Sequence, residues 1–203
     1  MQLDTLERGF SFNKEAKLDM QMGSCKMSAY DVVNTFSEND LADIIYNYGD
    51  EVKSRHIARK IVEERTIKPI ETTVELANIV RSFYIGKKLK IDPATKTFQA
   101  IRIYINDELN ELRKILEDSK DLLNIGGRLI VVTFHSLEDS IVKDFMKKVT
   151  GNINKEKKNK YKEEKEFYEF ELLTKKPIIP TETEVKDNIR SRSAKLRAIK
   201  KCL

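Results

Sequence analysis

Residues 128–139 hold the run with the most chemical potential in the chain. A short apolar segment, Leu129-Ile130-Val131-Val132, leads directly into Thr133-Phe134-His135-Ser136-Leu137-Glu138-Asp139. Aliphatic and β-branched residues in such a run favour a buried strand. A polar turn straight after it delivers side chains to the strand's carboxyl end, the edge of an open α/β sheet where ligands sit. His135 and Ser136 are therefore candidates for substrate contact or positioning, although a histidine bonded to loop atoms is the more ordinary occupant of such a place. Ser136 stands where a helix N-cap belongs, with Asp139 at the third position of a capping box. Glu138 and Asp139 fall in that helix's first turn, where the helix dipole alone favours acids, so they are not read as a catalytic pair.

A second set is basic. In Asn188-Ile189-Arg190-Ser191-Arg192-Ser193-Ala194-Lys195-Leu196-Arg197, a strand with its period of two would put Arg190 and Arg192 on one face and Lys195 on the other. Such an arginine pair suits bidentate phosphate contact. Arg55 and Arg59 lie near the apolar face of a helical segment and add cationic candidates. The seven glycines, at 9, 23, 49, 86, 126, 127 and 151, draw neither a G-x-G-x-x-G nor a P-loop. The two histidines, His56 and His135, are too few for a multi-histidine metal site.

The elements that must position these groups follow from periodicity. Residues 1–27 read as a loop-rich segment. Ser28 with Asp31, Ser37 with Glu38 and Asp40, and Thr72 or Thr73 mark helix starts, and Gly49 marks a stop. Apolar residues at helical spacing then predict a bundle of short helices over 28–85. Ile101, Ile105, Leu109, Leu112 and Leu116 form one stripe on a helix beginning at Phe98. Gly126-Gly127 ends it before the strand. Leu137, Ile141, Phe145 and Val149 give the next helix a buried face. This helix–strand–helix order is half of a doubly wound α/β unit. Residues 150–166 are nearly all polar and predict a mobile loop. Phe167–Leu173 and 175–180 read as further extended stretches.

Net charge is +5, but residues 151–203 hold 15 basic and 9 acidic residues, a net of +6, against −1 for the rest. A basic segment of this kind draws polyanions such as RNA through a salt-sensitive attraction. No apolar stretch approaches the roughly 20 residues that span a bilayer. Cys25 and Cys202 lack metal-type spacing and read as free thiols of a cytoplasmic protein.

Five blocks, in order, carry a resemblance: Glu7-Arg8-Gly9-Phe10-Ser11-Phe12, Leu18-Asp19-Met20, Phe98-Gln99-Ala100-Ile101-Arg102-Ile103, the Phe134–Asp139 run and Arg190–Arg197. The chain resembles, over almost its whole length, the bacterial S-adenosylmethionine-dependent methyltransferases that modify a cytosine N4 in small-subunit ribosomal RNA. The resemblance implies an α/β chain: a partial Rossmann-like methyltransferase core with an inserted all-α helical domain. Residues 1–27 would be a loop-rich piece of the core, 28–95 the inserted domain, and 96–203 the core's second half with its mobile loop and basic tail. It also implies S-adenosyl-L-methionine as cofactor, ribosomal RNA and the small ribosomal subunit as partners, and no membrane.

Gln2 is the residue that matches a family cofactor contact. The glycine-rich cofactor loop of the family is expected upstream of it, which makes this a truncated form with a missing N-terminal half. The alternative is a non-catalytic RNA-binding module. Departures from the family pattern stand at Gln21, Gly23, His56, Asp92, Lys96, Ser140 and Ile189. Those at Gln21, His56, Lys96 and Ser140 stand where an arginine is expected.

Overall fold

The computed structural model describes residues 8–12, 14–23, 25, 27–151 and 168–203, in two compact units, 1–108 and 109–203. Gln2 lies outside the described residues, as does most of the expected loop at 150–166.

The first unit is a helical bundle: α1 Ala29–Thr35, α2 Glu38–Gly49, α3 Ser54–Ile67, α4 Thr73–Ser82 and α5 Ala94–Ile105. Its helices start where the sequence signals them. Ser28 closes a capping box with Asp31, the Ser37 side chain accepts from the Asp40 N–H, and Thr72 rather than Thr73 caps α4 in a box with Glu75. The apolar faces of these helices meet in one core that includes Val32, Leu41, Ile45, Ile57, Ile61, Leu76 and Ile101. Full burial of each such side chain stabilises by about 1.5–3 kcal/mol.

Two sequence expectations need correction here. Gly49 is the last residue of α2, and the left-handed C-cap is Asp50, at φ 52°. Gly49 serves a close approach instead: a Cβ there would lie 2.5 Å from the Lys96 carbonyl oxygen. The long stripe from Ile101 to Leu116 is two helices, α5 and α6 (Glu108–Leu122), broken at Asn106-Asp107. Asn106 Nδ2 donates to the carbonyls of Arg102 (2.8 Å) and Met20 (2.9 Å), and its Oδ1 accepts from the Met22 N–H. Asp107 then takes φ 48°. Asn and Asp tolerate such backbone because their short side chains bond locally, and they break a helix that the apolar spacing alone would continue.

The second unit continues α6 and adds β1 (Arg128–Thr133), α7 (Ser136–Val149), β2 (Phe170–Leu172), α8 (Glu182–Asp187), a 3₁₀ turn at Ile189–Ser193 and β3 (Lys195–Lys201). The described sheet has three strands in the order β1-β3-β2, and both pairings are antiparallel. The parallel neighbour that half of a doubly wound unit calls for is thus not met among the described residues. β3, the last strand, sits between the other two.

β1 is not the strand buried on both faces that its composition suggests. Leu129 and Val131 pack with Leu116, Val142, Phe145, Met146 and Ile199, while Ile130 and Val132 on the other face are 58% and 47% exposed. The buried stripe of α7 is also rotated from the expected one. Val142, Phe145 and Met146 are buried, with Asp139 in line, and Ile141 and Val149 flank them.

Candidate functional site

The end of β1, the start of α7 and the start of β3 meet at one place. β1 and β3 pair in register, so Thr133 lies opposite Lys195 and Val131 opposite Arg197. Period two then aims Lys195 and Arg197 from the same face of the sheet, the face against which α7 packs.

Asp139, 8% exposed, receives both cations. Arg197 Nε donates to Oδ1 at 2.8 Å and a second guanidinium nitrogen to Oδ2 at 3.2 Å, while Lys195 Nζ donates to Oδ2 at 3.2 Å. The hydrogen bonds from Arg197 hold the Asp139 carboxyl below the usual carboxylate range. Burial opposes that shift and Lys195 adds to it. A carboxylate engaged in this way anchors cations and is unsuited to accept a proton near neutral pH.

The capping assignment from sequence moves by one residue. His135, not Ser136, is the N-cap, and Glu138, not Asp139, completes the box. Glu138 Oε2 accepts from the Phe134 N–H (2.7 Å) and the His135 N–H (3.3 Å), and His135 Nδ1 accepts a long bond from the Glu138 N–H (3.4 Å). His135 Nε2 is buried and lies 3.3 Å from Glu138 Oε1, an ion-pair distance without hydrogen-bond alignment. Burial alone would raise the Glu138 pKa, but contact with the His135 ring and the Phe134 N–H outweighs it, and the net shift is downward. Both acids of the run are therefore structurally committed. Ser136, exposed at the first position of α7, is left facing solvent.

Arg190 and Arg192 are exposed, on the 3₁₀ turn that feeds β3 rather than on a strand. The alternating arginine face expected there does not form. Asn188 caps the turn by accepting from the Arg190 N–H, and β3 begins only at Lys195. The strand pattern was real but started five residues later. That displacement also hid Arg197, which the spacing 195/197 would have placed on the same strand face as Lys195 from the correct starting point. Arg55 and Arg59 belong to the other unit. They project from α3 with exposed side chains, 3.7 Å from Asp43 and 3.4 Å from Glu38 of α2. Surface pairs of this kind contribute little, about 0–1 kcal/mol.

A sulfonium cofactor with an adenosyl group requires close backbone approach, the usual reason for glycine between strand and helix. The described residues do not meet that need. The β1-to-α7 turn is Phe134-His135, and the helix N-terminus is already closed by the His135–Glu138 box. Gly126 and Gly127 precede β1 instead of following it. Among the described residues, no helix is long and apolar enough to cross a membrane.

The family is shown by direct comparison: the model of the MraW methylase family matches residues 1–202, and the chain belongs to that family. Among its relatives, the ribosomal RNA small subunit methyltransferase H of Rickettsia bellii (strain RML369-C) is 52% identical over 208 residues, covering 99% of this chain and 67% of the relative. The enzyme of the same name from Rickettsia akari (strain Hartford) is 50% identical over 210 residues, 100% of this chain and 67% of its own length. That of Orientia tsutsugamushi (strain Boryong) is 51% identical over 208 residues, covering 98% of this chain and 65% of the relative. The chain thus spans about two thirds of the length of these relatives.

Proposed function

We propose that this chain serves S-adenosylmethionine-dependent methylation of a cytosine N4 in small-subunit ribosomal RNA. The observation that supports the reading most is the match to the methylase family over residues 1–202, together with relatives about half identical that carry that enzyme's name. In this reading the helical unit is an inserted domain. The exposed arginines of the 3₁₀ turn, Lys195 and the α3 arginines meet RNA phosphates, and His135 and Ser136 edge the substrate site. A neutral exocyclic amine is a weak nucleophile, so the protein's share of the work is alignment and exclusion of water. In this reading part of the cofactor's contacts would come from the third of the relatives' length that this chain does not span.

The test is label transfer from radioactive S-adenosylmethionine to small ribosomal subunits. The chain is assayed alone and with a polypeptide covering the unmatched third of a relative. Label in N4-methylcytosine that requires the added polypeptide supports the reading, and its absence in both mixtures counts against it. Calorimetry of the chain alone is expected to show weak cofactor binding or none, and tight one-to-one binding would contradict the division proposed.

A non-catalytic RNA-binding module is the second reading, favoured by the net charge of +6 over residues 151–203. It predicts binding that falls steeply with salt and no methylated product under either condition.

A further inference from the structure

Three of the sequence blocks that carry the family resemblance, two near the start of the chain and one at residues 98–103, line a single small pocket in the first unit. Phe10 and Phe12 come from the loop before α1, Met20 from the loop's return, and Phe98, Gln99 and Arg102 from α5. We propose that this pocket receives one unpaired nucleobase of the RNA substrate. The proposal rests on the ribosomal RNA reading above and deepens it.

Size is the first argument. The cavity measures about 160 Å³, and a cavity of about 150 Å³ is known to hold one benzene ring. Sites for larger ligands run to about 300–1,000 Å³. The space suits a single planar ring and is too small for an entire adenosyl cofactor.

The lining is the second. Phe12 and Phe98 meet edge to face with centroids 4.9 Å apart. Phe10, half-buried at the rim, supplies a further aromatic surface. The Arg81 guanidinium lies 5.7 Å from the Phe12 ring centroid. Aromatic faces of this kind bind any base by stacking. The Gln99 carboxamide offers a donor and an acceptor side by side, as the edge of a base requires. Among the described residues it makes one bond, a long one, 3.4 Å from Nε2 to the Tyr48 carbonyl. Arg102 is held in place by Glu108 at 2.8 and 2.9 Å.

Backbone strain is the third. Met20, 1% exposed, takes φ 58°, a region that unbranched L-residues seldom enter. It is locked there by its N–H to the Arg8 carbonyl and by Asn106 Nδ2 on its own carbonyl, both at 2.9 Å. Gly9, at φ 69°, packs so closely that a Cβ would sit 2.2 Å from the Lys17 carbonyl oxygen. Strained backbone persists where the surroundings over-determine it and clusters at ligand sites. Here it fixes the loop that carries Phe10 and Phe12.

The experiment uses the full chain and a fluorescently labelled, unstructured oligoribonucleotide, read by anisotropy. A matching set of RNAs carries one abasic nucleotide at each position in turn. Phe10→Leu keeps apolar volume but removes the stacking face. Gln99→Ala removes the edge contact from a partly exposed side chain and guards against misfolding of the first variant. Each variant is expected to bind intact RNA about five- to hundredfold more weakly for Phe10→Leu, and less severely for Gln99→Ala. The Phe10→Leu penalty should vanish on the abasic RNA that lacks the inserted base.

Wild-type affinity for both variants overturns the proposal. So does a Phe10→Leu penalty that is the same on intact RNA and on every abasic RNA, since the pocket would then be purely structural. If Phe10→Leu fails to fold, Gln99→Ala decides by the same two criteria. Absence of RNA binding by the wild-type chain would defeat both this inference and the RNA reading. Salt-sensitive binding with indifferent variants would defeat the pocket alone.

Discussion

Replacing Asp139 by alanine strands two cations that the fold brings onto one carboxylate. Asp139 and the Arg197 side chain are nearly buried, at 8% and 12% exposure, while the Lys195 side chain is 40% exposed. Removing one member of a buried pair costs about 3–5 kcal/mol, because the remaining charge is left desolvated. The partial exposure of Lys195 places its share within the about 0–1 kcal/mol of a surface pair. The expected loss is about 3 kcal/mol, near the lower end of the range for buried pairs. For a protein of this size each kcal/mol lowers Tm by about 2–4 °C, so the shift is about 6–12 °C. Thermal melts of Asp139→Ala followed by circular dichroism measure it.

The double variant Asp139→Leu/Arg197→Met should recover most of the loss, because it removes the stranded charge along with its partner. Acid supplies a check on sign. The folded-state pKa of Asp139 is depressed, so its contribution is complete above the unfolded carboxylate value, about 3.9. The contribution is lost as pH falls through the lower folded value. The gap between wild type and Asp139→Asn should therefore be full at neutral pH and narrow below about pH 4. A melt shift under about 2 °C, or a gap that widens in acid, would refute the account of Asp139 as the anchor of β3.

Gly49→Ala should destabilise the helical unit by about 1–3 kcal/mol, despite alanine's better helix propensity, because its Cβ meets the Lys96 carbonyl oxygen at 2.5 Å; urea titration reads it. Thr72→Ala removes the α4 capping box and should cost about 1 kcal/mol by the same titration. Arg192→Ala, on the exposed 3₁₀ turn, should weaken RNA binding uniformly across sequences and lower the slope of log affinity against log salt by about 1. An unchanged slope would remove Arg192 from the RNA surface.

The helical unit was legible because its signals are local. Ser28, Ser37 and Thr72 each act on the N–H group three residues on, and apolar spacing marks the face to be buried. Asn106-Asp107 defeated that reasoning, since an unbroken apolar stripe crosses a break made by side chain–backbone bonds to Met22 and Met20, 84 and 86 residues away in sequence. The exposed face of β1 was equally hidden. Ile130 and Val132 have the composition of buried strand residues, and only their exposure in the folded chain, 58% and 47%, shows that the described elements leave their face largely uncovered.

At the candidate site the same division between local and distant bonding decides what each residue can do. The sequence correctly marks Phe134–Asp139 as the polar end of a strand, but it cannot rank the two acids. Glu138 is bound by its own loop, and Asp139 by residues 56 and 58 positions later. That distant bond makes the start of β3 part of the β1 end. In the proposed reading, an RNA phosphate at Arg190, Arg192 or Lys195 would meet cations on or just before a strand that Arg197 and Asp139 anchor. Loss of Asp139 should consequently weaken RNA binding even though it removes a negative charge, which by simple electrostatics would strengthen it. Anisotropy on the folded fraction of Asp139→Asn separates the two: tighter binding means that net charge governs, and weaker binding means that the anchored geometry does.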